Sequence, residues 1–195
     1  MDFFDVVNSR RSIRKYKPDQ VSRDIVMKIL HAANQAPSAM NLQQWEFLVI
    51  TGERIGKIGE SYKKAVEDLI QGSDPSHQTS LPPANEFIEY ARALGGAPMV
   101  IVILTEASDQ GDMRKAHLES ASAAMQNLVL SATAMGLGSC WMTGPLRREH
   151  SLRSILGVPD SREIVALTPL GYPAETPPPR ARKDPDLSQK VQWLE

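Results

Sequence analysis

Residues 98–105 read PMVIVILT, apolar at every position before the closing threonine. A strand with one wet face alternates apolar and polar residues; a continuous run is covered on both faces. This run is therefore the best candidate for the central strand of a sheet. The other strands are short: EFLVIT (46–51), EIVALTPLGY (163–172) and a piece within GLGSCWMTG (136–144). Helical patterns are more numerous, so the chain fits a helix-rich α+β sandwich better than an all-parallel doubly wound sheet.

The longest helical pattern covers residues 113–135, where Leu118, Ala121, Met125, Leu128, Ala132 and Met135 recur at three- and four-residue steps. It would be about 35 Å long. Its Ser/Ala-rich middle permits close approach by other helices, as in a core helix, and is compatible with packing against a partner subunit. SRDIVMKILHAANQA (22–36) is amphipathic, with Ser22 as N-cap and a break at Pro37. GERIGKIGESYKKAVEDLI (52–70), ANEFIEYARAL (84–94) and REHSLRSIL (148–156) are further helices. The opening MDFFDVVNSR is a short helix whose Phe3, Phe4, Val6 and Val7 exceed one apolar stripe, so much of that surface should be buried. QGSDPSHQTSLPP (71–83) is a polar loop suited to a lid. The proline-rich tail from Pro173 onward should run extended over a surface. The 195 residues suit one domain, with 173–195 as an extended arm.

Composition narrows the function. With 22 basic and 23 acidic residues the net charge is −1, which argues against bulk nucleic-acid binding. No apolar run approaches the roughly 20 residues that span a bilayer, and the N-terminus lacks the pattern of a secretory signal. The single Cys140 forms no internal disulfide, and a reducing cytoplasm fits. GLGSCW follows a helix and lacks a third glycine, so it is no dinucleotide fingerprint. His31, His77, His117 and His150 show no metal-ligand spacing, and no metal site is expected. His31 and His117, on predicted helices, read as satisfied or solvated histidines, and Cys140 as a small buried residue.

One local anomaly stands against this near-neutral background. RRSIRKYK (10–17) holds Arg10, Arg11, Arg14, Lys15 and Lys17 with no acid among them. In an extended segment Arg10, Ser12 and Arg14 share a face, and two guanidiniums flanking a hydroxyl suit a phosphate. Taken alone, the segment also fits a solvated basic strip. A second cationic group, Arg180 and Arg182 in the tail, argues that two patches from opposite ends of the chain converge on one phosphate. Ser38, Asn41, Gln43 and Gln44 between them offer uncharged hydrogen bonds to a polar heterocycle.

Four stretches, RRSIRKY, APSAMNLQQWEFLVI, GLGSCWMTG and LGYPAETPPPRARK, stand in an order and spacing that resemble the FMN-dependent nitroreductase family nearly end to end. The resemblance implies an α+β nitroreductase-like sandwich: a small central mixed β-sheet flanked by helices, in an intertwined homodimer with two FMN sites at its interface. It implies that Arg10, Arg11, Ser12 and Arg14 hold the FMN phosphate and ribityl, and that Arg180 and Arg182 add phosphate contacts. It implies that Pro37, Ser38, Ala39 and Asn41 reach the flavin of the other subunit, with Gln43 just beyond, and that Met142, Thr143 and Gly144 lie behind the isoalloxazine ring. The implied activity is ping-pong hydride transfer from NADH or NADPH to a small-molecule acceptor such as a nitroaromatic or quinone, with no catalytic side chain. Reductive dehalogenation, flavin fragmentation, azoline oxidation and a flavin-binding redox sensor are the alternatives. The chain has Gln44 where the family often has proline, which should loosen that loop.

Overall fold

A computed structural model of the chain describes residues 1–72 and 83–194. In chain order the elements are α1 (Phe3–Ser9), α2 (Arg23–Asn34), β1 (Trp45–Ile50), α3 (Glu53–Gly72) and α4 (Ala84–Ala93), then β2 (Met99–Glu106), α5 (Gly111–Ala134), β3 (Gly138–Ser139), α6 (Glu149–Leu156) and β4 (Arg162–Gly171). The strands stand in the order β1-β2-β4-β3 and pair antiparallel. The parallel component of the expected mixed sheet is an isolated bridge between Ser12 and Ser139. Of the polar 71–83 stretch read as a lid, Gln71 and Gly72 end α3, and residues 73–82 fall outside the described residues.

The apolar run became β2, and its burial explains its composition. Ile101 and Ile103 face a core built with Ile29 of α2 and Met125 and Leu128 of α5. Val100, Val102 and Leu104 face the other way, against Ile58 and Val66 of α3 and Leu152 of α6. Each such side chain contributes roughly 1.5–3 kcal/mol by leaving water, so a polar residue at any of these positions would be costly. Helix α5 lies in the first core along Ala121, Met125, Leu128 and Ala132, the positions its periodicity marks. Gly56 and Gly59 do not interrupt α3; a Cβ at Gly59 would meet the Arg92 carbonyl oxygen of α4 at 1.9 Å, so this glycine permits close helix packing.

The first helix departs from expectation. Of its apolar residues only Val6 is buried, while Phe3 and Phe4 are 65% and 73% exposed. The helix is two turns long, so only one narrow side can reach α5 within the chain. Its phenylalanines pack edge-on against each other at 5.5 Å instead.

The first part of the tail lies along the segment after α1, whereas residues 183–190 form turns. Tyr16 and Pro173 form an antiparallel bridge, Lys17 N–H donates to the Tyr172 carbonyl at 2.9 Å, and Ala174 N–H donates to the Lys15 carbonyl at 3.0 Å. Carried along the tail, that register sets residues 177–182 beside residues 7–12. Three consecutive prolines, Pro177–Pro179, stiffen the stretch, because each fixes its own φ.

Candidate functional site

The tail and the segment after α1 enclose a cavity of about 400 Å³. Arg10, Arg11, Ser12 and Arg14 line one side, and Arg180 and Arg182 the other. Among the described residues, Arg10, Arg14, Arg180 and Arg182 enter no salt bridge, whereas Lys15, turned outward, pairs with Glu175 at 3.0 Å. Elsewhere among the described residues Arg92, Arg114, Arg148, Arg153 and Arg162 pair with carboxylates, while Arg23, Arg54 and Arg147 stand apart from one another without such a partner; Arg114 takes Glu163 in a two-pronged contact at 2.6 and 2.9 Å. Unneutralised guanidiniums gathered around one cavity repel one another. A shared anion reverses that sign.

Arg11 is used differently from its neighbours. Its Nη1 donates to the carbonyls of Asn8 at 2.7 Å and Arg10 at 2.8 Å, at the C-terminal end of α1. Its buried Nε has no partner. Arg11 thus lines the cavity while bracing the helix end that shapes it. Arg14 points one Nη1 loosely at the Ser12 carbonyl, 3.5 Å away.

A backbone path leads from this cavity to the second group of candidates. Ile13 N–H donates to the Ser139 carbonyl at 2.9 Å, so the arginine segment lies beside β3. Three residues later the chain reaches Met142, fastened to β4 by bonds in both directions with Leu167, at 2.8 and 3.0 Å. Thr143 is exposed and Gly144 half-buried, at the head of a short 3₁₀ turn, Gly144–Arg148. None of the three lines the arginine cavity. They flank it along the sheet edge.

The third group does not join either of these within the described chain. Residues 38–43 form a tight turn in which Met40, Asn41 and Gln43 all adopt positive φ, of 51°, 55° and 49°. Such angles are uncommon for residues other than glycine, and each costs of order 1 kcal/mol or more. Two serines hold the turn. Ser38 Oγ accepts from Gln43 N–H at 3.0 Å; Ser120 Oγ of α5 accepts from Ala39 N–H at 3.1 Å and donates to the Ala116 carbonyl at 2.6 Å. The Gln43 side chain donates to Asn41 Oδ1 at 3.0 Å. The turn is therefore tied down rather than loosened by Gln44, whose side chain is 5% exposed and finds no partner for either amide atom. Pro37 is exposed at the turn's entrance, and Met40 stands 73% exposed at its tip.

Sequence reasoning missed two tyrosines. Tyr62 of α3 lies against Gly144, and Tyr90 of α4 donates to Met142 Sδ at 3.2 Å. At the level of sequence they are ordinary positions on amphipathic helices, and only the tertiary fold brings them to this segment. Burial, with Cys140 nearby, pushes the Tyr62 phenol up to about 12. The same causes hold Tyr90 and Tyr16 above the ordinary phenol range, so all three are neutral hydrogen-bond donors at physiological pH. Cys140 is buried, as expected. His31 and His150 are exposed; His117 is buried with Nδ1 3.0 Å from the Glu106 carbonyl and Nε2 unpartnered, and His77 lies outside the described residues.

Comparison with known proteins supplies the frame for these groups. The sequence model described as "Nitroreductase family" matches residues 7–172. An NADH dehydrogenase of Thermus thermophilus is 32% identical over 94% of this chain and 92% of its own length. An iodotyrosine deiodinase of Thermotoga neapolitana is 25% identical over 93% of this chain and 94% of its own. The crystal structure of a nitroreductase with bound FMN from Desulfitobacterium hafniense superposes with a TM-score of 0.77 at 24% identity, covering 98% of this chain and 97% of that one.

Proposed function

The chain belongs to the nitroreductase family, and from that premise we propose that it is an FMN-dependent oxidoreductase that uses NADH or NADPH to reduce nitroaromatics, quinones or similar acceptors. One observation carries the reading: four arginines without carboxylate partners among the described residues converge from both ends of the chain on one cavity. That donor set fits a phosphate monoester. Arg10, Arg14, Arg180 and Arg182 supply charge and forked donors, and Ser12 a hydroxyl. Arg11 keeps the end of α1 in place.

FMN held there would supply the hydride chemistry between nicotinamide and acceptor in a ping-pong reaction. The chain's own part is binding and orientation. The arginine cavity fixes the phosphate end. The edge formed by Ile13 and Ser139 leads the remainder toward Met142, Thr143 and Gly144, which would back the ring. The Pro37, Ser38, Ala39, Asn41 and Gln43 turn does not reach the cavity of its own chain, which suits service to the site of a second copy. A homodimer would also cover the exposed Phe3 and Phe4. No side chain is needed as an obligatory acid, base or nucleophile. We take residues 1–195 as one domain with 173–195 as an arm, placed in a reducing cytoplasm that suits the free thiol of Cys140. Among the described residues no helix is long and apolar enough to cross a membrane.

A second reading keeps the cofactor and changes the acceptor to a halogenated phenol, on the strength of the deiodinase relative. The absorbance spectrum of the purified protein tests the shared premise: yellow protein releasing FMN, not FAD, on heating supports it. Colourless protein that takes up no FMN would end both readings. Rapid NAD(P)H oxidation with a quinone or nitroarene, against iodide release from iodotyrosine by the reduced protein, separates them.

A further inference from the structure

Two phenols from two helices meet the Met142–Gly144 segment, Tyr62 at the Gly144 backbone and Tyr90 at the Met142 side chain. The Cε2 and Oη atoms of Tyr62 each lie 2.9 Å from where a Cβ on Gly144 would stand, and Cζ lies at 3.2 Å. Contacts under 3.0 Å are essentially unknown for real Cβ atoms, so a side chain at 144 has to displace the ring or the backbone. Gly144 is not among the residues with positive φ. It is glycine for space, and the space belongs to Tyr62. The Tyr62 ring is itself held edge-on by Phe87 of α4, with centroids 6.3 Å apart and planes at 81°. Its hydroxyl has no hydrogen-bond partner among the described residues. On the same side, Tyr90 Oη donates to Met142 Sδ at 3.2 Å. The paired bonds to Leu167 fasten the segment to β4. Met142–Gly144 is thus seated against a strand and two helices, with its outer side at Thr143 exposed.

We propose that Tyr62 and Tyr90 are positioning residues that set the distance between the Met142–Gly144 backbone and the FMN ring, and thereby the relative affinity for reduced and oxidised FMN. The inference rests on the flavin reading given above. Reduction adds negative charge to the ring, and the stabilisation of that charge by nearby N–H dipoles falls as their distance grows. A contact that served only folding would change the affinity of both redox states alike. A contact that sets distance changes them unequally, and the inequality appears as a shift in midpoint potential.

The test uses the FMN-loaded protein. In Gly144→Ala the new Cβ pushes the segment off Tyr62 toward its exposed side, where the ring would lie; reduced FMN should gain about tenfold in affinity relative to oxidised FMN. For a two-electron couple that ratio raises the midpoint potential by about 30 mV. The double variant Gly144→Ala with Tyr62→Leu returns the space, and its ratio should come back to within about threefold of wild type. Tyr90→Phe, which keeps the ring and removes the O–H···S bond, should shift the ratio in the same direction by about threefold and serves if Gly144→Ala does not fold. A wild-type midpoint in Gly144→Ala or Tyr90→Phe, or a double variant no better than Gly144→Ala, overturns the inference while leaving the flavin reading intact. Wild-type protein that binds no FMN overturns both.

Discussion

The two ends of the candidate flavin site are built on different principles. The arginine cavity is assembled from two short extended segments of one chain, and its chemistry is charge. The ring end is assembled from pieces far apart in sequence: Met142–Gly144 seated by Tyr62 and Tyr90, and the 38–43 turn pinned by Ser120. Its chemistry is placement. Charge tolerates small errors of position, because Coulomb energy changes slowly with distance. Placement does not, because hydrogen bonds and packing fail within fractions of an ångström. Variants at the first end should therefore alter how much FMN is bound. Variants at the second should alter what bound FMN does.

The largest effect should come from removing one whole side of the cavity. Truncation after Tyr172 deletes Arg180, Arg182 and the arm that carries them. Flavin titration should find no tight site, and sedimentation should find the proposed dimer lost. A truncated monomer with full flavin and full turnover would show that the arginine end is not the anchor.

Single charges come next. Arg14→Ala and Arg182→Ala should each weaken FMN binding about tenfold or more, the worth of a hydrogen bond to a charged group at roughly 1.5–3 kcal/mol. Lys15→Ala should change it little, since Lys15 pairs outward with Glu175 as an exposed ion pair worth about 0–1 kcal/mol. Equal losses at Arg14 and Lys15 would reduce the cavity to an undirected basic patch and erase the contrast between the ends.

Ser120→Ala probes the other end. It removes the acceptor for Ala39 N–H, a loss of about 1 kcal/mol in denaturant unfolding. Released from α5, the turn with its left-handed residues should relax. The KM for the acceptor should then rise severalfold while FMN affinity holds. Weaker FMN binding at constant KM would make the turn part of the anchor instead.

What could be read from sequence follows the same division. The apolar run announced β2, because burial on both faces leaves no room for alternation. The arginines pointed to a candidate phosphate site, because cationic clusters at both chain ends stand out against a net of −1. The meeting of those arginines needed the Tyr16–Pro173 register, which no local pattern encodes. The exposure of Phe3 and Phe4 was misjudged, because composition shows that a surface wants cover but not whether the same chain supplies it. The loosening expected from Gln44 did not appear, because the turn is held by hydroxyls at 38 and 120, one of them some eighty residues downstream. Tyr62 and Tyr90 were invisible as site residues because their helices needed them as core in any case.

The last effect, confined to alkaline conditions, concerns Tyr62. Its phenol titrates from an ordinary value of 10.0 in the unfolded chain and is pushed up to about 12 in the fold, chiefly by burial. Between those values the unfolded chain has lost its proton and the folded chain keeps it. Unfolding therefore releases a proton, and stability falls as pH rises from about 10 toward 12. One pH unit into that window a single such group costs about 1.4 kcal/mol. Tyr62→Phe removes the group, so its stability curve should fall less steeply than wild type across pH 10–11, by roughly that amount at pH 11. Tyr16 and Tyr90, held up by the same burial, keep part of the slope in both proteins. Parallel curves for the two proteins would mean that solvent reaches the Tyr62 hydroxyl freely, and a phenol so hydrated could not keep Met142–Gly144 at a fixed distance.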